Sequence, residues 1–518
     1  MLPFLIQHTP LWILQRCERF LLVHYEFTKY ALTHINPQLL HLISQKKALH
    51  IFHKTSLDTP AYQQFLDHRQ VAPHDVRSID AFNTIIPATE KENYIKVYSY
   101  EDRCVNGCFP THGNIDESSG TSGKPTNWIR SVKEEDLLFK MAEFEFKYTF
   151  KTHKENIMVI SAWSSGPWAT GIKFCQLMEH YALVKNTDTD VRSIVETLKL
   201  FGKKYHYLIA GYPPFLKKLI DESGKQIRWK QYRIDLLTGG EGIVLEWKEY
   251  MRKRLDKKTK IISSYGASDI DIGVGFETPL CALIRELCAV NKDLRVALFG
   301  DLPTLPMIFQ YNPLTHYITN YYNEYEKKHE FLITVLDDNV ASPKVKYNLH
   351  DEGGVYSYRD MIYLVENLQP DYLSLLKKGN NIPEDILHLP FIFLAGRTDG
   401  TISLDGANVY PHQIEICLHK DKTVAKKVQA FKIVRHEDKH CNITFVIKIE
   451  VKKGVARSFS LARRIHNVIL SHLLTINRDY EESYINNKKA TDPHILLYLP
   501  GSKEFSDDLH KIKNQYIG

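Results

Sequence analysis

The spacing of apolar positions changes along the chain. Over residues 1–90 it reads as helices joined by turns. From about residue 130 helical and strand-like spacing alternate. Ser131 and Glu134 form a capping box ahead of Leu137, Leu138, Met141 and Phe144, which recur at helical intervals. Short apolar runs at Ile157–Ala162, Tyr207–Ala210, Arg233–Leu237 and Lys260–Ser263 predict strands. Helical stretches at Thr189–Phe201, Pro214–Glu222 and Ile243–Lys257 lie between them. Strands that alternate with helices of this length predict a parallel, doubly wound sheet covered on both faces.

Each predicted strand runs into a loop of small or aromatic residues: WSSGPWATG, GYPP, TGGEG and SYGASD. In open α/β sheets the carboxyl edge of the strands is where ligands bind, so these loops point to one crevice. A second segment begins near residue 396. It carries strand-like runs at Val428–Val434 and Thr444–Val451, a helix at Phe459–Leu474 and a late strand at His494–Leu499. This is the patterning of a small separate α+β domain. The fold class expected is therefore α/β: a large multi-layer N-terminal domain with a doubly wound parallel sheet, plus a small mobile C-terminal α+β domain. The expected boundaries are 1–90 for the helical N-terminal part, 91–398 for the α/β domain and 399–518 for the mobile domain.

Composition narrows the class without naming a function. With 67 basic and 61 acidic residues the net charge is +6, and no Lys/Arg block concentrates it, so a nucleic-acid partner is not expected. Apolar residues at 43% and charged residues at 25% exclude a disordered or polytopic membrane chain. The apolar start MLPFLIQHTPLWILQ is too short to span a bilayer and lacks the basic flank of a signal peptide. It predicts an amphipathic helix packed on the body, with a membrane-surface anchor as the alternative. The eight cysteines are scattered without a CxxC pair, as expected of a reduced cytoplasmic protein.

The strongest local signal is Ser118-Ser119-Gly120-Thr121-Ser122-Gly123-Lys124-Pro125-Thr126. Its hydroxyls supply donors, its glycines let the backbone approach an anion, and its lysine adds a point charge suited to phosphate. Pro125 after Lys124, and Ser118 five before Gly123, exclude a Walker loop. A flexible Ser/Gly linker is the bland alternative. Four further motifs follow in order: Thr238-Gly239-Gly240-Glu241-Gly242, Tyr265-Gly266-Ala267-Ser268-Asp269, the segment Pro343 to Asp351, and Gly396-Arg397-Thr398-Asp399-Gly400.

This ordered set resembles the adenylate-forming superfamily of acyl-CoA synthetases, luciferases and adenylation domains, and its form resembles the phenylacetate–CoA ligase branch. The resemblance covers most of the chain and includes TPAYQQF at 59–65. It implies that Ser118–Lys124 hold the phosphates and that Gly239, Gly240 and Glu241 border the adenine. Tyr265 and Gly266 would lie beside the base, with Ser268 on the α-phosphate. Asp351 would accept bonds from both ribose hydroxyls, as a carboxylate can from a vicinal diol. Arg397 would contact ribose or phosphate. Asp269, where the family usually has Glu, would be a magnesium ligand, with Asp271 a spare acid nearby. Asp399 would be the hinge and Gly406 would line the pantetheine tunnel. Trp163, Trp168 and Tyr212 would shape an apolar pocket for an aryl or otherwise flat acid. At the C-terminus, Lys511 would be the catalytic cation, with Lys513 the competitor because His510 stands where the family has Gly.

The resemblance implies ATP, magnesium and coenzyme A. It implies an AMP-forming ligase that makes an acyl-adenylate from a small carboxylic acid and passes it to a thiol. Transfer to a carrier protein or an amine is the alternative, and a non-catalytic nucleotide sensor is a different class. A homodimer and the role of residues 277–315, which hold Cys281 and Cys288, stay open.

Overall fold

The computed structural model describes residues 6, 8–21, 24–118, 126–151, 156–166, 169–302, 304–379, 385–398 and 400–508. Ser131 caps the helix Val132–Phe150 as the sequence predicts: its hydroxyl accepts from Glu134 N at 3.2 Å, and Glu134 Oε2 accepts from Ser131 N at 3.1 Å. Ahead of this helix lies a hairpin of β1 (Gly113–Ser118) and β2 (Thr126–Ser131), in which Ser118 is opposite Thr126.

The parallel strands are β3 (Ile157–Ala162), β4 (Leu183–Asn186), β5 (His206–Gly211), β6 (Arg233–Thr238) and β7 (Ile261–Ala267). Their order is β4-β3-β5-β6-β7, a doubly wound arrangement with its switch point beside β3. Strand period sets which face each side chain meets. Met158, Ile160 and Ala162 join one core with Ile194, Leu198 and Leu219 from the covering helices. Ile157 and Val159 join the opposite core with Phe174 and Leu177. Full burial of each Met, Ile, Val, Leu or Phe among them contributes roughly 1.5–3 kcal/mol. The short strand β4 is an addition to the expectation. Its exposed, polar pattern hides the strand signal.

The sheet does not stop at β7. It continues through β8 (Asp271–Phe276), β9 (Met307–Gln310), β13 (Phe391–Arg397), β12 (Tyr347–Tyr356), β11 (Lys328–Val335) and β10 (His316–Asn323), making eleven strands in all. This half is antiparallel. The change of direction falls within β7, which pairs with β6 through Ile261–Ser263 and with β8 from Ser264 onward. Gly266 allows this turn: a Cβ there would meet the Ile272 carbonyl oxygen at 2.4 Å. Residues 279–299 form two helices, Pro279–Val290 and Lys292–Phe299, with Cys281 and Cys288 buried in their core. Burial pushes both thiols up to about 12, the state of inert packed cysteines.

The C-terminal part is a smaller α+β lobe. It holds the hairpin β14 (Ile402–Leu404) and β15 (Ala407–Val409), and a sheet of β16 (Val428–Glu437), β17 (Ile443–Val451) and β18 (His494–Tyr498). Its core is its own: Ile433, Phe445, Ile447, Ile465 and Leu473 belong to a cluster drawn from residues of this lobe alone.

Candidate active site

The carboxyl ends of β3, β5, β6 and β7 open on one crevice of about 540 Å³. Ser118, Trp163, Tyr212, Gly239, Gly240, Glu241, Tyr265, Gly266, Ser268, Asp269, Asp351, Arg397 and Gly406 all line it. The motif residues singled out from the sequence thus converge, while Asp271, the spare acid, does not line the crevice. Ser119, Gly120, Thr121, Ser122, Gly123, Lys124, Trp168, Asp399 and Lys511 lie outside the described residues.

Strand register brings Asp351 and Arg397 together. They are direct partners across β12 and β13, and Arg397 Nη1 lies 3.6 Å from Asp351 Oδ1. Tyr265 donates its hydroxyl to Asp351 Oδ2 at 2.5 Å, while its ring stacks on Phe309 at 5.9 Å. Burial first, then the Asp351 charge, pushes the Tyr265 phenol well above its usual range, so it stays a donor. The result is a rigid acceptor carboxylate beside a cation on the crevice wall.

Asp269 is paired in a way its motif does not reveal. Lys91 Nζ lies 3.2 Å from Oδ1, and the Tyr347 hydroxyl donates to Oδ2 at 2.8 Å. Lys91 comes from the N-terminal part of the chain and also lines the crevice. Burial, the largest single influence, would depress its pKa, but the Asp269 charge and hydrogen bond together with Tyr410 outweigh it and hold the ammonium protonated. Arg130, buried among Asp116 and Glu134, fixes the loop from behind by donating to the Ser268 carbonyl at 2.8 Å. Each oxygen of Asp269 thus already carries one partner within the chain. No cluster of three or more metal-binding side chains exists among the described residues. These residues therefore do not fit a divalent ion held by the chain itself.

Behind the Asp351–Arg397 pair lies a charged network that motif reading also missed. Glu330 on β11 is fully buried. It accepts from Asn323 at 3.0 Å, from Asn348 at 2.7 Å and from the Thr398 hydroxyl. His350 bridges Glu330, at 3.6 Å, and Glu90, at 2.9 Å. Burial would raise the Glu330 pKa, but hydrogen bonds from His350, Thr398 and the two asparagines hold it at about 2. Burial would lower His350, but its bonds to Glu330 and Glu90 raise it to about 10. His350 has a left-handed φ of 62°, and its carbonyl accepts from Thr398 N at 2.8 Å. The network thus ties the strand bearing Asp351 to the residue before Asp399. A Glu inside a strand-like run, with no surface partner in the sequence, was the available signal.

At the other end of the crevice the small lobe meets the sheet. Gly406 and Gly240 both lie against the ring of Tyr212. A Cβ on Gly406, at φ +90°, would meet that ring at 2.4 Å, and one on Gly240 at 2.9 Å. Trp163 packs edge-on to Tyr212 with ring centroids 4.8 Å apart. Glu241 accepts from Gly406 N at 2.9 Å and from Arg435 Nη2 at 3.3 Å, so its carboxylate ties down the β14–β15 hairpin. Burial first, then the charges of Asp479, Asp405, Glu482 and Glu241, pushes the Tyr212 phenol far above its usual range. Burial and the neighbouring Glu241 raise Asp405 to about 7.

No family model matches the chain, and no curated protein matches it in sequence. Solved structures do match. The 2-hydroxyisobutyryl-CoA ligase, in complex with its acyl-AMP and coenzyme A in the thioesterification state, aligns with a TM-score of 0.59 at 12% identity, covering 92% of this chain and 88% of that one. The same ligase in the postadenylation state gives 0.51 at 11% identity, over 94% and 89%. Its open conformation gives 0.50 at 11% identity, over 92% and 90%. At this identity the likeness is one of architecture, and it does not single out the phenylacetate–CoA ligase branch. The chain shares the fold of the 2-hydroxyisobutyryl-CoA ligase.

Proposed function

We propose that this chain is an AMP-forming acid–thiol ligase. A carboxylate oxygen attacks the α-phosphorus of ATP, pyrophosphate leaves and an acyl-adenylate forms. A thiol, coenzyme A in this reading, then attacks the carbonyl carbon and AMP leaves. The observation that carries the proposal is the convergence of Ser118, Gly239, Tyr265, Ser268, Asp351 and Arg397 on one crevice at the carboxyl edge of a doubly wound sheet.

In this reading Ser118 and the loop through Lys124 hold the phosphates. Gly239 and Gly240 border the adenine, and Tyr265 sits beside it. Asp351 accepts the ribose hydroxyls, while Arg397 supports ribose or phosphate. Ser268 contacts the α-phosphate, with Lys91 a further cation near it. Lys511, with Lys513 as competitor, holds the attacking carboxylate in line, because two anions must meet. Trp163, Trp168 and Tyr212 receive an aryl or similar flat acid. Residues 399–518 turn about Asp399 between the two half-reactions, and Gly406 then borders the thiol path. Magnesium would arrive with the triphosphate, and no step is assigned to it.

A pyrophosphate-release screen over aryl, acyl and amino acids, with ATP and magnesium, tests the first half-reaction. Release with at least one acid is expected; none with any acid removes the enzymatic reading. One observation favours a second acceptor. Asp405, Asp479 and Glu482 line the crevice near Tyr212, and this set of carboxylates suits a cationic amine. Supplying coenzyme A, a phosphopantetheinylated carrier and primary amines side by side decides between them.

A further inference from the structure

The helix Leu11–Leu21 has two faces that the site does not explain. Its inner face carries Glu18, which is buried and paired with Lys47 Nζ at 2.9 Å; that lysine also donates to the Leu314 carbonyl at 2.5 Å. Its outer face carries Trp12, Arg16, Arg19 and Phe20, spaced to share one side of a helix and all exposed. Trp12 is 64% and Phe20 69% exposed. The next helix, Tyr25–His34, adds Phe27 at 55% and Tyr30 at 65%, three residues apart on one face. Exposed large aromatics gathered in this way are unusual on a soluble surface.

Charge identifies the occupant. Glu18 is the sole acid in residues 1–25, and it is turned inward, so the outer face of the first helix is basic. Arg19 also borders a groove of about 440 Å³ with Lys133 and Lys140, which are exposed. The groove carries carboxylates too. Of these, Glu18 is neutralised by Lys47, and Asp338 takes His50 at 2.9 Å and Gln15 at 2.5 Å; Asp136 and Asp337 complete the set. A second copy docked face to face would set Arg16 and Arg19 against their equivalents with no acid of that strip between them. Trp and Phe beside Arg suit the boundary between lipid headgroups and acyl chains. No described helix is long and apolar enough to cross a membrane, so this face would lie on a bilayer rather than span it.

We propose that the outer face of Leu11–Leu21 is a docking surface for an anionic lipid bilayer. Trp12 and Phe20 enter the headgroup boundary, while Arg16 and Arg19 meet lipid phosphates. The proposal is independent of the ligase reading.

The test is flotation of the full chain with phosphatidylcholine vesicles, with and without phosphatidylglycerol, at low and high salt. The chain is expected to float with the anionic vesicles and to release as salt rises. W12S/F20S is expected to cut binding by about tenfold, and R16E/R19E to abolish the preference for anionic lipid. Circular dichroism melting keeps the variants comparable, since these side chains are exposed and should leave Tm unchanged. Absence of flotation with either vesicle would overturn the proposal, as would equal binding by W12S/F20S. A dimer in sedimentation equilibrium that the same substitutions disperse, without vesicle binding, would reassign the face to a second copy.

Discussion

The two halves of the central sheet serve the crevice differently. The parallel half, β4-β3-β5-β6-β7, contributes loops: Gly239 and Gly240 after β6 bring backbone close to whatever fills the space. The antiparallel half contributes charge: Asp351, Arg397, His350 and Glu330 stand on or beside β11, β12 and β13. A parallel strand ends at the crevice and can offer only its loop. Antiparallel neighbours run past each other, so register can hold an acid opposite a base. The difference teaches that the antiparallel half fixes its charges by strand register, Asp351 against Arg397, whereas the parallel half brings its own, Glu241 and Asp269, on loops that need partners from elsewhere in the chain.

The largest expected effect breaks the charged half. Glu330→Gln removes a buried anion from four donors and should cost about 3–5 kcal/mol in urea unfolding. Gly239→Ala, on the loop half, should leave stability nearly unchanged. A loss below about 1 kcal/mol for Glu330→Gln would erase the distinction. The same network has a pH signature. His350 is raised to about 10, so its contribution is complete below its ordinary pKa and fades as pH rises through 10. Glu330 is lowered to about 2, so its contribution is complete above its ordinary range and fades as pH falls toward 2. His350→Asn tolerates the left-handed backbone and should remove the alkaline limb of a Tm–pH profile; because His350 is the first of the donors that hold Glu330 low, the acid limb should also move to higher pH.

Arg397→Ala should lower pyrophosphate exchange about a hundredfold with little change in Tm. An equal fall in Tm would make Arg397 structural instead. Gly406→Val drives a side chain into the Tyr212 ring and should slow acyl transfer roughly tenfold more than adenylate formation. Combining it with Tyr212→Ala should recover part of that loss. The smallest effect sharpens the Asp269 finding. Lys91→Met leaves Oδ1 of Asp269 open and should lower the magnesium concentration needed for half-maximal exchange about threefold. An unchanged requirement would mean that Lys91 does not compete with the ion.

Legibility followed burial. Strands β3, β5 and β6 are buried on both faces over most of their length, so each appears in the sequence as a short, mostly apolar run. The β10 sequence HYITNYYN and the β12 sequence YNLHDEGGVY mix polar and aromatic residues, because part of each strand faces solvent or the charged network. They carried no comparable signal. The Gly-rich and hydroxyl-rich motifs were visible because they are contiguous. Lys91 and Glu330 were not, because each has a function only through residues more than a hundred positions away or on another strand.

The amino-acid sequence by itself determined the local events: the capping box at Ser131, the parallel strands β3, β5, β6 and β7, the small α+β lobe and the contiguous motifs whose described residues line the crevice. Only the tertiary structure decided that Asp351 faces Arg397, that Lys91 closes on Asp269 and that Glu241 holds Gly406. Propensity and periodicity act over a few residues, whereas strand register and ion pairing join segments whose separation along the chain carries no trace of their meeting.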